Sequence, residues 1–199
     1  VGRGALAGPV AVGVAVIGID APPVPEGLTD SKALTARRRE ALVEPVRSWT
    51  LASSVGYASP QEIDQWGIIA ALRLAGRRAL ADVASDGLVP GGVLLDGSHN
   101  WLSAPDDLFG LVDGPEDPFG RELPVHMQVK ADASCAVVAA ASVLAKVARD
   151  HLMQEIDDPG YGWASNKGYG SAAHTRAIVD LGVSEHHRRS WKMPTQATK

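Results

Sequence analysis

The chain has 199 residues, 45% of them hydrophobic, and a formal net charge of −4 at neutral pH. This length suits one domain with its own core, and the acidic balance argues against nonspecific coating of nucleic acid while leaving room for a local basic groove. The longest apolar run, Ala133 to Ala145, is bounded by Asp132 and Lys146 and is too short to cross a bilayer, so no membrane span is expected. A single cysteine, Cys135, forbids an intramolecular disulfide and fits a structural position within an apolar helix in a reducing, cytoplasmic setting.

Val10 to Ile19, an almost unbroken run of Val, Ile, Ala and Gly, predicts a strand covered on both faces. Thr35 is placed to cap a helix running to Glu44, where Pro45 should end or kink it, and Trp49 to Tyr57 then reads as a second strand. Ser59, Pro60 and Glu62 supply the cap, the first-turn proline and the capping-box acid of a long helix. Along that helix Ile63, Trp66, Ile69, Ala70, Leu74 and Leu80 form a core stripe, with Arg73, Arg77 and Arg78 at polar positions. Gly91 and Gly92 introduce a short hydrophobic strand, Val93 to Gly97, that ends in the carboxylate of Asp96.

Ser98 to Glu122 is rich in Pro, Gly and Asp and predicts an elaborated surface loop anchored by Trp101, Leu108 and Phe119. Its acids Asp106, Asp107, Asp113, Glu116 and Asp117 lack the spacing of a calcium-binding EF-hand loop and read as solvated charge. Leu123 to Val129 is another strand. Asp132 follows it as a candidate helix cap. The helix beyond carries Ala133, Ala136, Ala139, Ala140, Ala141 and Ala145, so it can approach a sheet very closely. Lys130 before it, and Lys146 and Arg149 in its last turns, add cations that suggest a nearby anionic ligand. Ser171 opens a final helix that Gly182 closes. Strands alternating with helices make the chain α/β, without a repeat or a second domain.

Asp96 and Asp132 share a grammar: each follows a hydrophobic strand and has a small neighbour. Strand ends are where an α/β sheet gathers ligands, and two such carboxylates can converge on one hard cation, for which magnesium is suited. Alone, they read more readily as two separate turn aspartates. No Cys/His cluster has zinc spacing. Gly2-Arg3-Gly4 lets backbone approach a ligand while a guanidinium holds phosphate, although a lone Gly-Arg-Gly is usually a turn. Asn166-Lys167-Gly168-Tyr169-Gly170 pairs a cation with an aromatic ring, suited to a phosphate plus a sugar or base. His186 to Trp191 is a basic, aromatic-ended segment that also reads as a solvated tail.

The order and spacing of these motifs resemble ribonuclease HII. The resemblance rests on Val-Gly-Arg-Gly-Ala-Leu-Ala-Gly-Pro at Val1 to Pro9, Asp30-Ser31-Lys32, Glu62-Ile63-Asp64, Asp96-Gly97 and Lys130-Ala131-Asp132. It continues through Ala139 to Ser142, Ala145 to Val147, Arg149-Asp150, Lys167 to Gly170, His174 and His187-Arg188, and so spans essentially the whole chain. It implies a ribonuclease H-like fold, a mixed central β-sheet flanked by helices with a helical C-terminal extension. One catalytic domain over residues 1–199 is expected, with the α/β core at about 1–158 and a substrate-contacting part at about 159–199.

The resemblance also implies an endonuclease that cuts the RNA strand of RNA/DNA hybrids and incises beside single ribonucleotides in duplex DNA. Two Mg2+ or Mn2+ ions would serve it, leaving 5′-phosphate and 3′-hydroxyl ends. Asp96 and Asp132 match two of the family's four active-site carboxylates. Gly2, Arg3, Gly4 and Tyr169 match groups that read the 2′-hydroxyl at the ribonucleotide/DNA junction, and Lys32, Lys130, Lys167 and Arg188 match phosphate contacts. In the family an Asp-Glu pair directly precedes the Gly-Arg-Gly segment. This sequence starts at Val1, so the pair is expected upstream in the natural protein, and the chain as written is expected to bind metal weakly and cleave poorly. Trp191 stands where phenylalanine is usual. A monomer is expected; a binding module without catalysis and another Mg-dependent phosphoryl hydrolase are the alternatives.

Overall fold

The computed structural model describes residues 1–104 and 114–194. Leu108 and the acids Asp106, Asp107 and Asp113 of the expected loop lie outside them. Strand β1 (Val10–Val16) pairs antiparallel with β2 (Ala52–Ala58), Val12 opposite Gly56 and Val14 opposite Ser54. A second pair is parallel, β3 (Val93–Asp96) with β4 (Val125–Gln128). Among the described residues the mixture of directions is thus carried by two separate strand pairs, with α1 (Ala36–Trp49), α2 (Pro60–Ser85) and α4 (Ala136–Glu155) packed around them.

Alternation along β1 divides its side chains between two helices. Val10 and Val12 pack with Ala58, Ile63 and Leu74 toward α2, whereas Ala15, Ile17 and Val55 pack with Ala140, Val143 and Leu144 of α4. The strand is therefore covered on both faces, as its composition predicts. Small residues set the spacing: a Cβ on Gly13 would overlap the Ala141 carbonyl of α4. The alanine-lined helix lies against strand backbone, which a bulky side chain at this crossing would prevent.

Several local expectations yield to packing. Helix α1 continues through Pro45 to Trp49, because Val46 and Trp49 are buried in the α4-facing core and the Trp49 indole donates to the Pro22 carbonyl at 2.8 Å. Strand β2 consequently starts at Ala52 and not at Trp49. The Ser59/Glu62 capping box forms as expected, but Gly67 (φ 77°, ψ 162°) interrupts α2, and beyond it the buried face is Ala71, Leu72, Leu74, Ala75, Ala79 and Leu80. Arg77, expected at a polar position, is buried: it donates to the Leu102 and Arg121 carbonyls and pairs with Glu122. With Arg73, which donates to the Ser103 carbonyl, it fastens both described ends of the long loop, where Leu102 and Phe119 are buried.

The helix after β4 is broken. A single turn, α3 (Ala131–Ser134), ends where Cys135 is extended (φ −129°, ψ 117°), and α4 starts at Ala136. Cys135 therefore occupies the break, and Lys146 and Arg149 fall within α4 and not in its last turns. Asp132 is not a cap: it sits in the first turn of α3, and Lys130, in left-handed conformation (φ 57°), precedes the turn. A short helix α5 (Trp163–Asn166) and α6 (Ala172–Leu181), capped by Ser171 and closed at Gly182, are the last helices among the described residues.

Candidate active site

A cleft of about 520 Å³ separates the free side of β1 from β3. Its walls include Val12, Val14 and Leu95, its floor Val138, Ala141 and Ala145 of α4, and both Asp96 and Asp132 line it. The two carboxylates are linked through backbone: Asp96, leaving the end of β3, accepts the Ala131 N–H at 2.9 Å, so the strand-end acid satisfies the first turn of α3. Asp132 is 6% exposed and accepts from the Lys32 ammonium at 3.0 Å. That hydrogen bond, together with the charges of Asp132 and Asp30, holds the Lys32 ammonium above its ordinary pKa. Lys32 is brought there by a 3-10 turn, Ser31–Ala33, whose Asp30 accepts the Lys32 N–H and whose Ser31 hydroxyl meets Ser142 of α4 at 2.7 Å.

Hard carboxylate oxygens suit a hard divalent cation, which can keep several waters when only one or two carboxylates hold it. Among the described residues no group of three or more His, Cys, Asp or Glu gathers, and Asp96 and Asp132 are the carboxylates that line the cleft.

At the mouth of the cleft, Val1 and Ala11 exchange both backbone hydrogen bonds, at 2.6 and 3.0 Å, as a closely spaced antiparallel pair does. Next along the chain, Gly2 (φ 76°) is buried, and its N–H donates to the Tyr169 hydroxyl at 3.2 Å. A Cβ on Gly2 would overlap the Arg149 guanidinium, so glycine is required both by φ and by space. Arg3 and Gly4 face solvent, and Tyr169 is 39% exposed. The Gly-Arg-Gly and Lys-Gly-Tyr-Gly segments thus meet: Leu6 and Ala7 both donate to the Gly168 carbonyl, and the Tyr169 hydroxyl closes the other end.

The remaining candidates separate into two groups. Lys130 is exposed beside Asp132, and Lys167 (φ 52°) is half-buried, its ammonium on the Ala164 carbonyl. Arg188 differs from the expectation of a phosphate contact, because it is fully buried and its guanidinium donates to the Gly2, Arg3 and Gly8 carbonyls. Burial, with Arg149 close by, lowers it to about 10, so it remains a cation at neutral pH. His187 is buried too, and its residue forms a β-bridge with Ala7, so His186 to Trp191 is no solvated tail.

Behind this junction lies a determined hydrogen-bond chain. The Tyr169 carbonyl requires a proton on His174 Nδ1 at 2.9 Å, leaving His174 Nε2 to accept from the Trp163 indole at 3.3 Å and from His187 Nε2–H at 3.2 Å. His187 Nδ1 in turn accepts the Ser184 N–H at 3.0 Å. Burial first, then the neighbouring His174, His186 and Arg189, lowers His187 to about 4, so it is neutral at physiological pH. In the sequence, His174 stands out only within the family resemblance and Arg149 only as a helix cation, and neither gives a local sign of these contacts.

Comparison with known proteins decides the family. A family model described as ribonuclease HII matches residues 1–194. The chain belongs to the ribonuclease HII family. The Streptomyces coelicolor ribonuclease HII is 46% identical over 193 residues, covering 96% of this chain and 73% of that protein. A Cereibacter sphaeroides ribonuclease HII is 43% identical over 194 residues, covering 96% and 81%. Among solved structures, the chain is similar to ribonuclease H2 of Pyrococcus horikoshii OT3, with a TM-score of 0.62 at 23% identity over 96% of this chain and 90% of that one. It is likewise similar to a chain of the PCNA:RNase HII complex of Archaeoglobus fulgidus, with a TM-score of 0.63 at 25% identity over 99% and 94%. The fold is ribonuclease H-like and the protein is an RNA/DNA-hybrid endonuclease of a divalent-metal-dependent family. No helix of the described residues is long and apolar enough to cross a membrane.

Proposed function

We propose that this ribonuclease HII chain incises duplex DNA on the 5′ side of a single embedded ribonucleotide, as well as RNA strands of hybrids, leaving 5′-phosphate and 3′-hydroxyl ends. Asp96 and Asp132 serve as carboxylate ligands for Mg2+ or Mn2+, the Gly2 amide and Tyr169 hydroxyl read the 2′-hydroxyl, and Arg3, Lys32, Lys130 and Lys167 contact phosphates. The observation that carries this reading is adjacency. Val1 lines the cleft with both acids, and the next residue, Gly2, donates to the Tyr169 hydroxyl, so the ribose reader stands beside the carboxylates.

Asp96 and Asp132 would hold the divalent cations, whose chemistry, when bound, would be to polarise the scissile phosphate and acidify an attacking water. The protein's own part is positional. Lys32 neutralises Asp132 until phosphate competes for its ammonium, and the Tyr169 ring, half out of solvent, offers a flat face and a hydroxyl to a sugar. An Asp-Glu pair placed directly before Val1 would continue the Val1–Ala11 pair along β1 into the cleft, toward Asp96 and Asp132. A monomer working in the reducing cytoplasm accords with the free thiol of Cys135.

The test supplies duplex DNA carrying one ribonucleotide, with magnesium or manganese, to the chain and to a version with Asp-Glu added ahead of Val1. Incision beside the ribonucleotide by the extended version, and much less by the shorter one, is the expected result. Binding without incision by both would reduce the site to a recognition module. An affinity indifferent to salt would point to a small substrate, because a duplex binder loses affinity steeply as counterions compete.

A further inference from the structure

We propose that Arg149 is the positioning residue of the ribose-reading junction, holding the Gly2 segment and the Tyr169 loop in the one relative placement that lets both face the same sugar. This rests on the reading of Gly2 and Tyr169 as the 2′-hydroxyl contacts. Arg149 rises from α4, far in sequence from both loops. Its Nε donates to the Pro9 carbonyl at 2.8 Å, Nη2 to the Ala7 carbonyl at 3.2 Å, and Nη1 to the Lys167 carbonyl at 2.9 Å. The guanidinium carbon lies 5.7 Å from the centre of the Tyr169 ring, and the Gly2 backbone packs so closely on the guanidinium that no Cβ could intervene.

The chemistry of this placement is costly. Arg149 is fully buried, and among the described residues no carboxylate pairs with it. Burying a cation without a counterion carries a desolvation cost that hydrogen bonds to backbone carbonyls offset only in part. What it gains is geometry: a planar fork with divergent donors fixes two strands of backbone at once, which neither lysine nor an apolar side chain can do. It also holds the carbonyl of Lys167, whose left-handed backbone (φ 52°) aims the next two residues, Gly168 and Tyr169, back toward Gly2. A mere brace would serve the fold without caring where the Tyr169 hydroxyl lies.

The experiment measures fluorescence anisotropy of two duplexes, identical except that one carries a single ribonucleotide, at equal salt and without metal so that cleavage does not intervene. The proteins are the chain itself, Arg149→Lys, which keeps charge and stem, Arg149→Gln, which keeps a planar donor, and Tyr169→Ala. The chain should prefer the ribonucleotide duplex and Tyr169→Ala should abolish that preference. Arg149→Lys should lower it by about tenfold to a hundredfold, as a displaced reader would, while affinity for the all-DNA duplex stays within about twofold and melting stays cooperative. Equal losses on both duplexes, an unchanged preference in Arg149→Lys, or unfolding of both Arg149 variants would overturn the positioning role. If Tyr169→Ala loses the preference and both Arg149 variants keep it, the Arg149 assignment alone fails. No preference in the parent chain would remove the ribose reading and this proposal with it.

Discussion

The carboxylate corner and the loop junction are neighbours built on opposite principles. At the junction, Arg149 and Arg188 spend their donors on carbonyls of Gly2, Arg3, Ala7, Gly8, Pro9 and Lys167, and the His174–His187 pair has every ring nitrogen engaged. At the corner, Asp132 accepts from one exposed lysine and Asp96 from one backbone N–H, in a cleft open to solvent. The difference teaches how the site divides labour. On the proposed reading, the junction has its donors committed before substrate arrives, whereas the corner keeps carboxylate lone pairs free for cations.

That contrast can be broken most severely at Arg188. Arg188→Met should destabilise the chain by about 3–5 kcal/mol, because the carbonyls of Gly2, Arg3 and Gly8 lose their donors together, and thermal melting will show it. A small change in melting temperature would mean that water replaces the guanidinium and that the junction is not closed.

The next effect is one of pH. His187 takes a proton readily when unfolded, near pH 6.5, but only at about 4 in the fold. Between those values the unfolded state binds the extra proton, so stability falls as pH falls through this window, by up to about 3 kcal/mol. Denaturant midpoints measured from pH 7 to pH 4 should decline, and His187→Gln should flatten part of the slope; an unaltered slope would exclude His187 as its source.

At the corner the same kind of change should spare the fold. Asp132→Asn is expected to shift stability by less than about 1 kcal/mol, since the Lys32 pair is largely exposed on one side, while manganese affinity falls about tenfold or more. Calorimetric titration of manganese into both proteins measures this. Smallest of all, Lys32→Met should leave melting nearly unchanged and raise manganese affinity by a few fold, because an ammonium no longer competes for Asp132. A loss of manganese affinity would instead assign Lys32 a part in arranging the acids.

The corner was the more legible of the two in sequence. Asp96 and Asp132 announce themselves by position, each after a hydrophobic strand, and the structure brings both to one cleft. Local grammar still misassigned how they work: Asp132 looked like a cap, yet Asp96 satisfies the first turn of α3 and Asp132 turns to Lys32. At the junction the glycines and Tyr169 were visible as motifs, but Arg188 read as a surface cation. A run of His and Arg gives no local sign of burial when its partners are backbone carbonyls more than a hundred residues away.

By itself the sequence determined what depends on near neighbours: the capping box at Ser59, the closure at Gly182, strand character from β-branched runs, and a helix of alanines slim enough to lie on Gly13. Tertiary structure alone decided the rest. Helix α1 runs through Pro45 because Trp49 finds a core, Arg77 and Arg188 are buried because distant carbonyls accept from them, and Gly2 meets Tyr169 because Arg149 stands between their loops. Short-range preferences are worth about 1 kcal/mol each, and burial with its attendant hydrogen bonds is worth several, so wherever the two conflict the assembled core prevails.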